Sequence, residues 1–245
     1  MNITVINGTQ QKGCTYAMKK QFLTAMGSGH AVTEYTLPRD CPEFCTGCKT
    51  CIAKGIDACP HAKYTAPIWE SIVSADLLVF VSPTYVFHTT GQMKALLDHF
   101  APKWMPHSPD AAMFHKQAVI ITNAIGQGMG KTVKDIKDSL DFWGVARTYS
   151  IKQALFQGKW ELVSEKRKAA IVKKCARIAK KVDSGKNIKP RIKIRGIFLI
   201  MKIAQKMIDK GERKAGRPRT SDYLYWEKNG WLNPNGLGGK KPWKR

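Results

Sequence analysis

Residues 74–94 read SADLLVFVSPTYVFHTTGQMK, and this stretch decides the fold. Leu77–Val81 is an unbroken apolar run. A short run of this kind marks a strand buried on both faces, as in a parallel sheet covered by helices on each side. Pro83 ends the strand, because proline has no N–H to give to a ladder. Tyr85 and Phe87 follow in a loop, and a helical pattern then runs from Gly91 to Phe100. Strand, loop and helix in that order make half of a βαβ crossover.

The same alternation recurs on either side. Met1–Gly8 reads as a first strand with an Asn-Gly exit turn, Cys14–Met26 as a helix and Ala31–Leu37 as a second strand. A helix is expected near Ala66–Ser74. Further on come a strand at Ala118–Thr122, a helix at Lys131–Trp143, a fifth strand at Ala146–Ile151 and a long basic helix at Glu161–Val182. Strands alternating with helices imply right-handed crossovers and a doubly wound parallel sheet. Five strands fit the flavodoxin-like order 2-1-3-4-5 better than the longer dinucleotide fold. The expected organisation is a domain over residues 1–185, with a cysteine-rich loop at 41–60 after the second strand, and a basic extension over 186–245.

Sheets of this kind bind ligands at the carboxyl ends of their strands, and three conspicuous loops lie there. The loop Asn7–Thr15 opens a helix, offers the hydroxyls of Thr9 and Thr15, and presents free helix-start amides that favour a phosphate. An ordinary capped turn is the competing reading. In the second loop, Tyr85 and Phe87 are placed to line a planar ring, or else to plug the edge of the core. The third loop, Thr122–Thr132, ends in Gly-Lys-Thr, but Gly126 lies four residues before Gly130 where a nucleotide-triphosphate loop needs five. Its glycines serve better to bring backbone close to a ligand edge.

These stretches resemble the NADPH-dependent FMN reductase and iron–sulfur flavoprotein group of the flavodoxin-like superfamily. The resemblance rests on NGTQQKGCT (7–15), CTGCKTC (45–51), the stretch 74–100 and the loop Asn123–Gly130, and it covers roughly residues 1–150. It implies an FMN enzyme that takes electrons from NAD(P)H and passes them to a small-molecule or protein acceptor. It implies that Thr9, Lys12, Cys14 and Thr15 hold the FMN phosphate, Cys14 standing where the family commonly has Asn. It places Pro83, Thr84, Tyr85, Val86 and Phe87 around the isoalloxazine, with Asn123, Gly126 and Gly128 in the loop that approaches its edge. The alternative within the group is a non-catalytic electron carrier fed by ferredoxin. No catalytic triad or carboxylate pair stands out, as befits chemistry carried by a cofactor.

Of the seven cysteines, five fall between Cys41 and Cys59. Cys45, Cys48 and Cys51 are each two residues apart, and Cys59-Pro60 follows. That spacing is closer to ferredoxin-type ligation of a [4Fe–4S] cluster than to the separated Cys pairs of zinc sites. Cys45, Cys48, Cys51 and Cys59 are the expected ligands, with zinc or free thiols as the other readings. Abundant cysteine in a chain without a signal-peptide pattern or a spanning apolar run leads to the expectation of a reducing, cytoplasmic compartment.

The charge is uneven. Residues 1–151 carry 14 Lys+Arg and 11 Asp+Glu; residues 152–245 carry 27 and 7, so +20 of the net +23 lies in the C-terminal part. There, apolar residues from Ile192 to Ile208 alternate with Lys193, Arg195, Lys202 and Lys206, followed by an aromatic tail with Tyr223, Trp226, Trp231 and Trp243. Such a helix docks on its own domain or a second copy, giving a homodimer, or lies on an anionic membrane surface. Nucleic acid ranks last, because no DNA- or RNA-binding signature accompanies the charge. The Pro- and aromatic-rich stretch Phe100–Phe114 reads as an inserted loop suited to a dimer interface.

Overall fold

The structure is a computed structural model that describes residues 1–184, 188–233 and 239–244. The expected boundary between residues 185 and 186 therefore lies outside the described residues. Five strands, β1 (Asn2–Asn7), β2 (Ala31–Thr36), β3 (Leu77–Val81), β4 (Gln117–Ala124) and β5 (Arg147–Ala154), form one sheet in the order β2-β1-β3-β4-β5. Every pairing is parallel, as the sequence pattern requires. The helices are α1 (Cys14–Met26), α2 (Thr50–Lys54), α3 (Ala62–Ser74), α4 (Gly91–His99), α5 (Met129–Trp143), α6 (Glu165–Asp183), α7 (Ile192–Lys214) and α8 (Ser221–Lys228).

Strand periodicity splits the core into two layers. Ile6, Leu78, Phe80, Ala118 and Ile120 face α3, α4 and α5, while Ile3, Val5, Val79, Val119 and Ile121 face α1 and α6. Trp143 sits fully buried in the first layer, with ring contacts to Trp69, Phe80 and Phe100 at 5.3, 6.1 and 5.8 Å.

Several boundaries differ from expectation, each for a local reason. Helix α3 starts at Ala62 and carries Pro67 inside, its carbonyl accepting from the Tyr35 hydroxyl at 3.1 Å. Strand β5 extends to Ala154 because it pairs with β4 as far as Ala124, and its polar Lys152 and Gln153 belong to an edge strand. The long basic helix begins at Glu165, after a short 3₁₀ turn at Trp160–Leu162. The shift leaves Glu161 outside the helix, with residues 157–160 in the loop after β5.

The C-terminal part docks on the chain itself. Phe198 of α7 stacks on Trp226 of α8 (4.8 Å) and meets Phe114 edge-on (5.5 Å), within a cluster that includes Tyr223 and Trp231. Pro106, His107 and Pro109 supply carbonyls to Gln205 Nε2, Trp226 Nε1 and the Tyr225 hydroxyl at 2.6, 2.9 and 2.8 Å. The Pro- and aromatic-rich stretch is thus the platform for the chain's own tail. Helix α8 was not expected; its N-cap Thr220 accepts from the Tyr223 amide at 3.1 Å.

Candidate functional site

Three of the carboxyl-edge loops are tied to one another. Gly8 N donates to Val81 O at 2.7 Å, and the Thr90 hydroxyl donates to Gly8 O at 2.7 Å while capping α4. A Cβ on Gly8 would lie 2.8 Å from Thr90 Oγ1, so only glycine permits this approach. Ser82 Oγ accepts from the Thr89 hydroxyl and the Thr90 amide at 2.9 and 3.1 Å. The third loop joins through Thr84, whose amide donates to Asn123 O at 2.9 Å and whose hydroxyl pairs with that of Thr132 at 2.9 Å.

Between these loops lies a cavity of about 670 Å³. Of the expected cofactor residues, Thr9, Lys12, Cys14, Thr15, Pro83, Thr84, Tyr85 and Asn123 line it. Its floor is the start of α1, where Gly13 occupies the N-cap with no side chain to bond the first amides and no acidic residue in the first turn. Such a helix end presents N–H groups and a positive dipole to whatever fills the cavity. The Thr15 hydroxyl donates to Asn123 Oδ1, fastening this end to β4.

Val86, Phe87, Gly126 and Gly128 lie outside that lining. Val86 and Phe87 are the centre of a two-residue turn closed by Tyr85 N to His88 O (2.9 Å) and His88 N to Tyr85 O (3.0 Å). Both have positive φ, 47° and 69°, a geometry that favours Asn and Gly and is strained for Val and Phe. Asp135 holds the turn, pairing with His88 Nδ1 and accepting from the Thr89 amide, each at 3.0 Å. Val86 is 91% exposed, and Tyr85 and Phe87 are about half so, leaving an aromatic rim beside the cavity. Gly128 packs beneath the turn at φ 95°, where a Cβ would lie 2.9 Å from Phe87 Cα.

The pattern reading missed the loop after β5. Gln157, Gly158, Lys159, Trp160 and Glu161 complete the wall. The carbonyls of Gln157 and Gly158 accept from the Cys14 thiol at 3.8 and 3.6 Å. Burial, then the charge of Glu161, raises that thiol above its ordinary value, so Cys14 is a neutral wall residue at pH 7.

None of the seven cysteines is in a disulfide. Cys45 and Cys48 are exposed, Cys51 and Cys59 half-buried and Cys41 buried. Burial first, then the charges of Cys59, Cys45 and Cys48, raises the Cys51 thiol. Two histidines join them unannounced. Donor atoms of Cys59, His61 and His99 lie within 4.8 Å of one another. His99 is 3% exposed; its Nε2 pairs with Glu43 O at 3.0 Å and its Nδ1 has no hydrogen-bond partner.

Hydrogen bonds from the Thr50 side chain and backbone lower the exposed Cys48 thiol, while burial pushes Cys41 and Cys175 up to about 11. Thiolate is the reactive form. In protein stripped of metal with a chelator, maleimide at pH 8 should therefore label Cys48 roughly 100-fold faster than Cys41 or Cys175. Peptide mass spectrometry over a labelling time course checks this, and equal rates would contradict it.

A doubly wound five-stranded parallel sheet in the order β2-β1-β3-β4-β5 is the flavodoxin-like fold. The sequence profile of the NADPH-dependent FMN reductase family matches residues 1–160, and the chain belongs to that family; its class of chemistry is flavin-dependent oxidoreduction. An iron-sulfur flavoprotein of Archaeoglobus fulgidus is 22% identical over 206 residues, 84% of this chain and 87% of that protein. One from Methanocaldococcus jannaschii is 27% identical over 99 residues, 40% of this chain and 50% of that protein. Among solved structures, an azoreductase from Bacillus anthracis superposes with a TM-score of 0.59 at 14% identity, covering 74% of this chain and 99% of that one. An FMN-dependent NADH-azoreductase from the same species, solved with FMN, gives 0.56 at 12% identity, with the same coverage of each chain. No helix among the described residues is long and apolar enough to cross a membrane.

Proposed function

We propose that the protein is a cytoplasmic FMN-dependent oxidoreductase that takes electrons from NAD(P)H and delivers them to a small-molecule or protein acceptor. The observation that carries this reading is the uncapped start of α1 opening into the 670 Å³ cavity beside Lys12 and the hydroxyls of Thr9 and Thr15. These groups fit a phosphate monoester: the Lys12 cation, the Thr9 hydroxyl and the helix amides line one end of the cavity with no carboxylate in the first turn, and the acid on the facing wall is Glu161. Pro83, Thr84 and Tyr85 fit the wall beside a planar ring, and Asn123, held by Thr15, fits its polar edge. FMN, when bound, supplies both two-electron acceptance and single-electron release. The chain's own part is to orient the ring, close water out from the Gln157–Glu161 side and leave the Tyr85–Phe87 rim open to a second planar molecule.

We assign Cys45, Cys48, Cys51 and Cys59 to a [4Fe–4S] cluster. This assignment rests on their spacing in one loop and on the likeness to two iron-sulfur flavoproteins. Purification and spectroscopy without oxygen test both assignments. Flavin bands bleached by NADPH or NADH, with about four iron and four sulfide per chain, are expected. Flavin without nicotinamide turnover would reassign the protein as an electron carrier. One zinc and no sulfide would reassign the metal to Cys59, His61 and His99.

Lys12→Ala should weaken FMN about tenfold, the effect of one charge-assisted contact of roughly 1.4 kcal/mol. Flavin fluorescence quenching checks this, and an unchanged affinity would remove Lys12 from the phosphate site.

A further inference from the structure

Helix α7 is amphipathic twice over. One side, with Ile194, Phe198, Lys202, Gln205 and Asp209 buried, docks on the chain's own platform. On the opposite side Ile192, Leu199, Ile200, Ile203 and Met207 are exposed, at 86, 51, 60, 41 and 70%. At about 100° per residue these five fall within an arc of about 100°, a continuous stripe along four turns. Along one edge lie Arg195, over the Trp243 ring, Lys206, donating to Asn233 O at 2.6 Å, and Arg213, paired with Asp209; Lys193, paired with Asp141, lies on the other, and Lys210 and Lys214 extend the stripe at the C-terminal end. The helix has only two carboxylates, and both are turned to the docked side and paired: Asp209 with Arg213 and Arg219, Glu212 with Arg217.

We propose that this face is a contact for an anionic lipid surface, with α7 lying in the plane of the headgroups. An apolar stripe bordered by lysine and arginine, free of unpaired acid, is the pattern that interfacial helices use. A second copy is a poorer occupant. A two-fold contact through this face would set the same basic borders against each other, on chains carrying +23 each. The first turn of α7 anchors near the amino-terminal edge of the sheet, where Lys193 pairs with Asp141 at 2.7 Å and Arg191 N meets Ala146 O at 3.4 Å. The cofactor cavity lies at the carboxyl edge, so contact at this end leaves its mouth open.

The test is sedimentation of the full-length protein with vesicles of phosphatidylcholine alone and of phosphatidylcholine with 30% phosphatidylglycerol. Binding at least tenfold stronger to the anionic vesicles, falling when salt is raised from about 0.1 to 0.5 M, is expected. Ile200→Asp with Met207→Asp should cut it at least tenfold while FMN binding and the melting temperature stay unchanged. Ile200→Trp, read by fluorescence, should shift to the blue on anionic vesicles only. Vesicle binding that is absent, or insensitive to the aspartate pair, overturns the proposal. So does a dimer in sedimentation velocity that the aspartate pair converts to monomer.

Discussion

Gly128→Val is expected to abolish stable FMN retention while leaving the sheet folded. Two independent effects meet at this position. The backbone sits at φ 95°, where a β-branched residue is strained by about 1–3 kcal/mol. The added Cβ would also lie 2.7 Å from Phe87 Cδ1, 2.9 Å from Phe87 Cα and 3.1 Å from Thr84 Cγ2. A clash with Cα moves backbone, so the Tyr85–His88 turn must shift, and with it the wall formed by Thr84 and Tyr85. Equilibrium dialysis should show FMN affinity down at least 100-fold, with far-UV circular dichroism unchanged. Gly130→Ala is the matched control: no atom lies within 4 Å of its Cβ and its φ is ordinary, so binding should stay within about twofold. If both variants bind FMN like the parent, the turn has no part in the site.

The largest effect on stability belongs to Trp143→Ala, at about 3–5 kcal/mol. Trp143 is completely buried and joins α5 to Trp69 of α3, Phe80 of β3 and Phe100 after α4, so its loss opens a cavity where three elements meet. Its indole Nε1 has no hydrogen-bond partner, an uncommon state for a buried tryptophan. Trp143→Phe gives up volume but also removes that unpaired donor, and should cost less than half as much. Urea unfolding of the three proteins measures both costs. Equal losses for Ala and Phe would show that the indole N–H is satisfied after all.

The fold was legible because buried parallel strands announce themselves. Leu77–Val81 and Ala118–Ile121 are unbroken apolar runs, and each is followed by a loop that reaches the cavity. Where the signal was edge-like or polar it failed. Lys152 and Gln153 of β5 are polar because they lie on an edge strand, and the extension to Ala154 could be read only from its pairing with β4. Of residues 157–161 only Glu161 was assigned to the approaching helix and the rest were passed over, although the rule that placed the first, third and fourth loops at the carboxyl edge applies equally to the fifth. Thr220 before Ser221 and Asp222 is a legible helix cap that the surrounding prolines and glycines obscured.

Other features needed tertiary neighbours. Sequence marked Gly128 as flexible, but its use lies in the space taken by Phe87, 41 residues earlier. His99 stands 40 residues from Cys59 and meets it only because α4 packs beside the cysteine loop. The basic extension was legible as amphipathic, but not which face is docked. That depended on the Phe114–Phe198–Trp226 cluster, built from three distant segments.

The central claim is that the start of α1 holds the phosphate of FMN, and the most direct test compares FMN with riboflavin, which lacks that phosphate. Titrations followed by quenching of flavin fluorescence should give one FMN per chain, bound at least 100-fold more tightly than riboflavin. Equal affinity for the two flavins, or no binding of FMN, would contradict the account.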